Sequence, residues 1–300
     1  MLDTNQGAIM KILISGASGL VGTELRAQLT NLGHEPLSLV RRKPTKENEV
    51  EWYPDKGYLQ PGVMEEVDAV VNLGGAPTGK IPWTKKYKKE LISSRLDATK
   101  TLVDAINEAK NPPEVLVSGS AEGIYGDRGD ELLDEESGKG EGFLSDLAYE
   151  WEQEAKKANN RVVLIRTTLV MSPKKGALGR LIPLIKAFIG GPFGTGKQWQ
   201  AWISLVDEAR AIIHLIENKK TEGAYNLAAP EHATTSDLIK AVATAFNRPS
   251  WLRVPGWAMK LLLGEAAEEL LLGSKKMSSE KLRNTGFEFT HPDLRSAARY

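Results

Sequence analysis

The chain has no cysteine. Disulfides, thiol nucleophiles, thiolate zinc sites and iron–sulfur clusters are excluded with it. It has no surplus of either charge, with 39 Lys and Arg against 39 Asp and Glu. A balanced chain offers nucleic acid or an anionic membrane no general electrostatic hold. It has no apolar run of the ~18 residues that a membrane span needs. The opening "MLDTNQGAIMKILISG" lacks the basic leader of a signal peptide. Histidine is scarce: His34, His214, His232 and His291 are far apart, without HExxH spacing, so no metal site is expected. The lysines of "KKYKK" at 85–89 are followed by glutamates and read as a solvated helix face. "GTGK" at 194–197 lacks the Walker spacing. A cytoplasmic location is compatible with these absences and is the expectation, with a small-molecule partner and no nucleic-acid or membrane partner.

What is present is ordinary globular material, 41% hydrophobic and 26% charged. Three hundred residues suit one large α/β unit or two unequal domains. "KILIS" at 11–15, "PLSLV" at 36–40, "DAVVNLG" at 68–74, "EVLVSGS" at 114–120 and "RVVLIR" at 161–166 read as buried strands. Helical spacing lies between them, at 20–33, 84–110 and 143–159. Strands buried on both faces and alternating with helices predict an α/β fold, a doubly wound parallel sheet of Rossmann type. After about residue 170 the rhythm changes to turns and shorter helices. The expected division is a tail over 1–9, a dinucleotide-binding domain over 10–170, and a smaller mixed α/β lobe over 171–300. Segments around 200–228 are candidates to rejoin the first sheet. The helix at 234–247 has Thr235 or Ser236 as its expected N-cap.

"ISGASGLVG" sets Gly16, Gly19 and Gly22 between the first strand and its helix. Glycine there allows a tight turn, close approach of a pyrophosphate, and packing of helix on strand. Ser18, Leu20 and Val21 share the turn. Leu73, Gly74 and Gly75 end a later strand where backbone can lie against a cofactor. An NAD site usually ends its second strand in Asp or Glu, at about 20 residues from the turn. Here "LSLVRRKP" supplies Arg41 and Arg42 instead. A guanidinium clamps a 2′-phosphate that a carboxylate would repel. The expected cofactor is NADP, with NADPH preferred over NADH, and Arg41 is the first candidate for the clamp.

The Gly-x-x-Gly-x-x-Gly spacing resembles the short-chain dehydrogenase/reductase superfamily. "DAVVNLGG", "SGSAEGIYGDRGDE", "RVVLIRTTLVMSPKKGAL", "GGPFGTGKQWQAWI", "YNLAAP", "VPGWAMKLLLGEAAEELLLGS" and "GFEFTHPDL" extend the likeness along nearly the whole chain from Met10. Together they resemble the YfcH-like epimerase family, of the NAD(P)-dependent epimerase/dehydratase group, with its small C-terminal domain. The resemblance implies a Rossmann core, a substrate lobe, a nicotinamide cofactor and oxidoreductase chemistry. Extended reductases are often homodimers through two long helices, which makes a homodimer an expectation here.

Such enzymes carry a Tyr and, four residues on, a Lys on one helix face. The tyrosine moves a proton at the reacting oxygen, and the lysine lowers its pKa. No Tyr-x-x-x-Lys occurs anywhere in this chain. In "FLSDLAYEWE" the two places fall on Leu144 and Ala148, and Arg95 stands where an Asn is usual. Three candidates remain for chemistry: Ser120 for the oxygen-binding hydroxyl, Tyr125 as a proton donor or a loop anchor, and Arg95 as a substitute positive charge. Ser118 joins the cofactor set. The places of a nucleotide-sugar diphosphate clamp fall on Leu169 and Gln200, which weakens that substrate class. Trp83, Trp199 and Trp202 read as core or as an aromatic pocket wall. The acidic segment 127–142 reads first as a solvated loop and second as a lid.

Overall fold

The structure, a computed structural model, describes residues 8–172, 176–187 and 190–298. The strands are β1 (Lys11–Ser15), β2 (Glu35–Val40), β3 (Glu49–Tyr53), β4 (Tyr58–Leu59), β5 (Ala69–Asn72), β6 (Val115–Ala121), β7 (Leu132–Leu133), β8 (Arg161–Thr167), β9 (Leu169–Met171), β10 (Trp202–Ser204), β11 (Gly223–Leu227) and β12 (Lys276–Met277). The helices are α1 (Leu20–Asn31), α2 (Lys85–Glu108), α3 (Phe143–Ala155), α4 (Gly176–Lys186), α5 (Leu205–Glu217), α6 (Thr235–Ala245), α7 (Gly256–Leu263), α8 (Glu265–Ala267), α9 (Glu280–Asn284) and α10 (Leu294–Ala298).

Eight strands form one sheet in the order β11-β8-β6-β5-β1-β2-β3-β4 among the described residues. Every pairing in it is parallel except β3 with β4. Alternation along the strands builds two cores. Ile12, Ile14, Val71, Val117 and Ile165 face α1 and α5. Leu13, Val70, Leu116 and Leu164 face α2 and the end of α3. The chain turns one way from β1 to β2 and lies on the other side of β1 at β5. That reversal opens a crevice at the carboxyl ends of the strands, the binding place of open α/β sheets.

Leaving β8, the chain pairs β9 with β10 apart from the large sheet, then returns through α5 to add β11 at its edge. Thus the part of 200–228 in α5 and β11 joins the first body, and β10 does not. A separate core of Ile182, Ile185, Trp202, Leu238, Ile239 and Leu294 holds the later helices together. The N-cap of α6 is Thr234, not Thr235 or Ser236. Its side chain accepts from Asp237 N–H, and Asp237 answers at the Thr234 N–H, a capping box one residue earlier than the spacing suggested. Other expectations shift at their edges: α1 stops at Asn31, α2 at Glu108 and α3 at Ala155, β5 is Ala69–Asn72, and β6 and β8 run on to Ala121 and Thr167.

The later segment also reaches back to the sheet. Helix α3 begins after Gly142, which has no side chain to cap it. Glu269 supplies the missing acceptor, taking the N–H groups of Phe143 at 2.8 Å and Leu144 at 3.2 Å. β12 pairs with β7, so segment 127–142 is stitched down: Arg128 N–H donates to Ser274 O, and Trp199 Nε1 to Asp130 at 2.7 Å. Replacing Glu269 with Ala leaves the first N–H groups of α3 to water. Urea unfolding should show a loss of about 1 kcal/mol, the usual value of an N-cap.

Candidate active site

The glycine turn lies at the crevice. Gly16 takes φ +68°, and a Cβ there would stand 2.8 Å from the backbone of Leu73. A Cβ on Gly22 would collide with Gly16 O. Both positions therefore require glycine, one for its backbone angle and one for helix packing. Helix α1 opens at Leu20 with no side-chain cap and no acidic residue in its first turn. The N–H groups of Leu20, Val21 and Gly22 and the helix dipole together favour an anion at this end. Ser18 and Gly19 are exposed beside it.

A buried hydroxyl fixes the next wall. Ser15 Oγ donates to Asn72 Oδ1 at 2.6 Å and accepts from Gly74 N–H at 3.0 Å. Asn72 Nδ2 donates to Thr99 Oγ1 at 2.9 Å, which also receives Trp151 Nε1 at 2.8 Å. Asn72 thus ties β1, β5, α2 and α3 together and holds Leu73 and Gly74 against Gly16.

The two arginines after β2 separate. Arg42 is bidentate to Glu49, at 2.8 and 2.7 Å, and also meets Thr45. Arg42 and a hydrogen bond from Thr45 hold the Glu49 carboxyl down at about 2. Arg42 is therefore committed to bracing the turn. Arg41 is exposed and has no ion pair or hydrogen bond among the described residues.

The hydroxyls expected to do chemistry are committed elsewhere. Ser120 Oγ donates to Glu152 at 2.7 Å, and Ser120 is buried. Glu152 in turn pairs with Arg166 at 2.8 and 3.1 Å. Arg166 Nη1 donates to the Tyr125 hydroxyl at 2.8 Å. That hydroxyl lies 2.6 Å from Asn226 Oδ1 and 2.8 Å from Asp134 O. Tyr125 is 0% exposed. Burial pushes its hydroxyl up to about 12, against the opposing pull of Arg166. A phenol with three partners and no exposure is a loop anchor, the second of its two expected roles. Ser118 is likewise fully buried within β6, so its side chain does not reach the crevice.

On α3, Leu144 and Ala148 are buried one turn apart, while Tyr149 points out at 44% exposure. Across from them, the Arg95 guanidinium lies over Gly75, 2.9 Å from where a Cβ would be, and 5.3 Å from the Trp151 ring. Burial draws it down to about 10, so it is charged at neutral pH. The tryptophans divide: Trp202 is core at 1% exposure, Trp83 stacks edge-on to Phe143, and Trp199 packs edge-on to His232. Gln200 Nε2 reaches the buried Glu122 carboxyl at 3.3 Å, and Leu169 is half-buried in the lobe core. Among the described residues no group of three His, Asp or Glu could hold a metal, and no helix is long and apolar enough to cross a membrane.

Sequence reasoning missed Glu152, Arg166 and Glu208. A second arginine in "RVVLIRT" was the available signal, because a charge on a doubly buried strand demands a partner. Glu208 gave none: in the first turn of α5 it reads as ordinary dipole compensation. It is fully buried, with Oε1 taking the Thr167 hydroxyl at 2.6 Å and Oε2 unpartnered. Burial raises its carboxyl to about 8, against the Thr167 bond.

Two outcomes follow from these commitments. Tyr125→Phe should cost about 1–3 kcal/mol in denaturant unfolding, by leaving buried partners unpaired, and leave NADPH affinity unchanged. Equal stability with loss of turnover would return Tyr125 to a chemical role. For Glu208, the folded chain keeps between pH 4.5 and about 8 a proton that the unfolded chain releases. Its contribution is complete below that window and falls as pH rises through it. Relative to Glu208→Gln, wild type should lose up to about 1.4 kcal/mol per pH unit there, read from urea melts of both proteins at each pH.

Comparisons with known proteins agree with this geometry. The model of the NAD dependent epimerase/dehydratase family matches residues 12–228, and a domain of unknown function, DUF1731, matches 254–300. Epimerase family protein ML0860 of Mycobacterium leprae is 36% identical over 96% of this chain and 94% of its own length. The chloroplastic SDR39U1 homolog of Arabidopsis thaliana is 36% identical over 97% and 86%. The crystal structure of human epimerase family protein SDR39U1 with NADPH superposes with a TM-score of 0.89 at 28% identity, covering 97% of this chain and 98% of that one. The Rossmann-type sheet, the glycine turn and the matching C-terminal segment thus agree, and the chain belongs to the NAD dependent epimerase/dehydratase family, with a DUF1731 domain at its C-terminal end.

Proposed function

We propose that this protein binds NADP(H) and works as an oxidoreductase on a small carbonyl or alcohol. One observation carries the cofactor preference: of two adjacent arginines at the end of β2, Arg42 is paired with Glu49 and Arg41 is left over. The uncapped start of α1 suits the pyrophosphate, and Arg41 suits a 2′-phosphate. The NADPH in the human SDR39U1 structure supports the same reading.

The cofactor, when bound, supplies or accepts hydride at its nicotinamide. The rest is done by the chain. Leu73, Gly74 and Gly75 form the wall beside the turn, and the apolar Leu144 and Ala148 are buried on α3 and offer no proton donor. Neither the Ser120 nor the Tyr125 hydroxyl is free to shuttle a proton, so proton transfer falls to the substrate's own groups or to water, beside the charge of Arg95. The same apolar face favours a second reading, an NADP(H)-responsive binding protein with little turnover.

Titration of the two cofactors tests the proposal. Wild type should bind NADPH more tightly than NADH. Arg41→Ala should lose about tenfold or more for NADPH, the value of one charge-assisted contact, with NADH unaffected. Equal affinities in wild type would refute the preference. Turnover of a carbonyl panel with NADPH separates the enzyme from the binding protein.

A further inference from the structure

Arg95 is a cation that the fold half-buries without giving it an anion. Only Nη1 is used, donating to Leu91 O at 3.0 Å within its own helix. Nε and Nη2 have no partner among the described residues, and neither is sealed from solvent. Arg161 and Arg166 are bound on more sides, although Arg161 Nε is itself buried without a partner among the described residues. Arg161 meets four backbone carbonyls and the Thr221 hydroxyl, and Arg166 has Glu152. Desolvating a charge costs free energy unless a partner repays it. The one titratable neighbour that bears on Arg95 is Tyr87, whose hydroxyl already donates to Pro77 O.

Its place says what it waits for. The guanidinium rests on Gly75, just past the carboxyl end of β5, with Trp151 behind it. Helix α2 covers the sheet face opposite α1. On the proposed cofactor reading, the phosphates have their own donors on the α1 side, at the helix start and Arg41. Nε and Nη2 together make a side-on fork that matches two oxygens of one planar group. No cation among the described residues bears on its charge, which suits a single negative charge better than a phosphate's two.

We propose that Arg95 receives a carboxylate of the substrate, so that the substrate is a small oxo or hydroxy acid. This rests on the oxidoreductase reading above and names its substrate class. Arg95 then orients the substrate, and its charge is neutralised when the complex forms.

The test uses the full chain saturated with NADP⁺ and calorimetric titration of oxalate, with inorganic phosphate and neutral oxamide as controls. Oxalate should bind saturably, and phosphate and oxamide should bind more weakly. Arg95→Gln should weaken oxalate by about tenfold or more while NADP⁺ affinity stays within about twofold of wild type. Arg95→Lys, which keeps the charge but not the fork, should recover part of the binding and shows that the site tolerates substitution. Oxalate binding unchanged in Arg95→Gln, phosphate preferred to oxalate, or a tenfold loss of NADP⁺ in that variant would each overturn the assignment. Wild type that binds NADP⁺ but not oxalate overturns this inference alone. Wild type that fails to bind NADP⁺ overturns the cofactor reading as well.

Discussion

A buried carboxylate and a buried guanidinium, Glu152 on α3 and Arg166 on β8, set the terms for the catalytic half of the crevice. Taking both charges out of water is repaid only if the remaining donors and acceptors are also met. They are met by Ser120 from β6, Tyr125 from the turn after it, and the carbonyl of Glu135. Asn226 of β11 then closes the set through Tyr125, and its side-chain amide reaches Leu133 O and Ser278 O. One ion pair therefore fixes α3, three strands of the sheet, the 130s segment and the stretch after β12. Its cost is chemical. The Ser120 and Tyr125 hydroxyls are held as partners of this charge pair.

The cofactor half answers to a different constraint. Gly16, Gly22, Ser15 and Asn72 fix backbone against backbone, with no buried ion involved. What this half offers a ligand is main-chain N–H groups and the free Arg41. The two halves meet at Thr99, which receives both Asn72 and Trp151. Drift of α3 would pass through Trp151 to the wall at Leu73 and Gly74. A face without a tyrosine–lysine pair is therefore still held in place, and Glu269 is brought from a distant part of the chain to cap it.

The legible parts of the sequence were those governed by local rules. Short apolar runs placed β1, β5, β6 and β8, and the 3.6-residue period placed the long helices, because those elements bury what the pattern says they bury. The glycine turn was legible because backbone geometry restricts residue choice there. Short edge elements were not: β3, β4, β7 and β12 exist through pairing with distant segments, and a two-residue strand has no period. The site was legible only as far as composition went. That Tyr-x-x-x-Lys is missing can be read directly. That Ser120 turns to Glu152 cannot, because 32 residues separate them and nothing local ties them. Arg41 and Arg42 show the same limit. They are adjacent and identical in type, and Glu49 seven residues on decides which one is spent.

A positive charge stands on α2 at Arg95, over Gly75. The family pattern puts a cation on α3, four residues after its tyrosine, where this chain has Ala148. It puts a neutral Asn on α2, where this chain has Arg95. An apolar α3 face and a cationic α2 keep one positive charge at the carboxyl ends of the strands, now facing from the opposite helix. A charge on α3 beside a tyrosine lowers the pKa of a proton donor. The Arg95 guanidinium on α2 stays charged throughout the neutral range and bears on one phenol, that of Tyr87, whose hydroxyl is already donated to Pro77 O. It can only attract and orient. Binding of an anion, as proposed above, is the role that fits it.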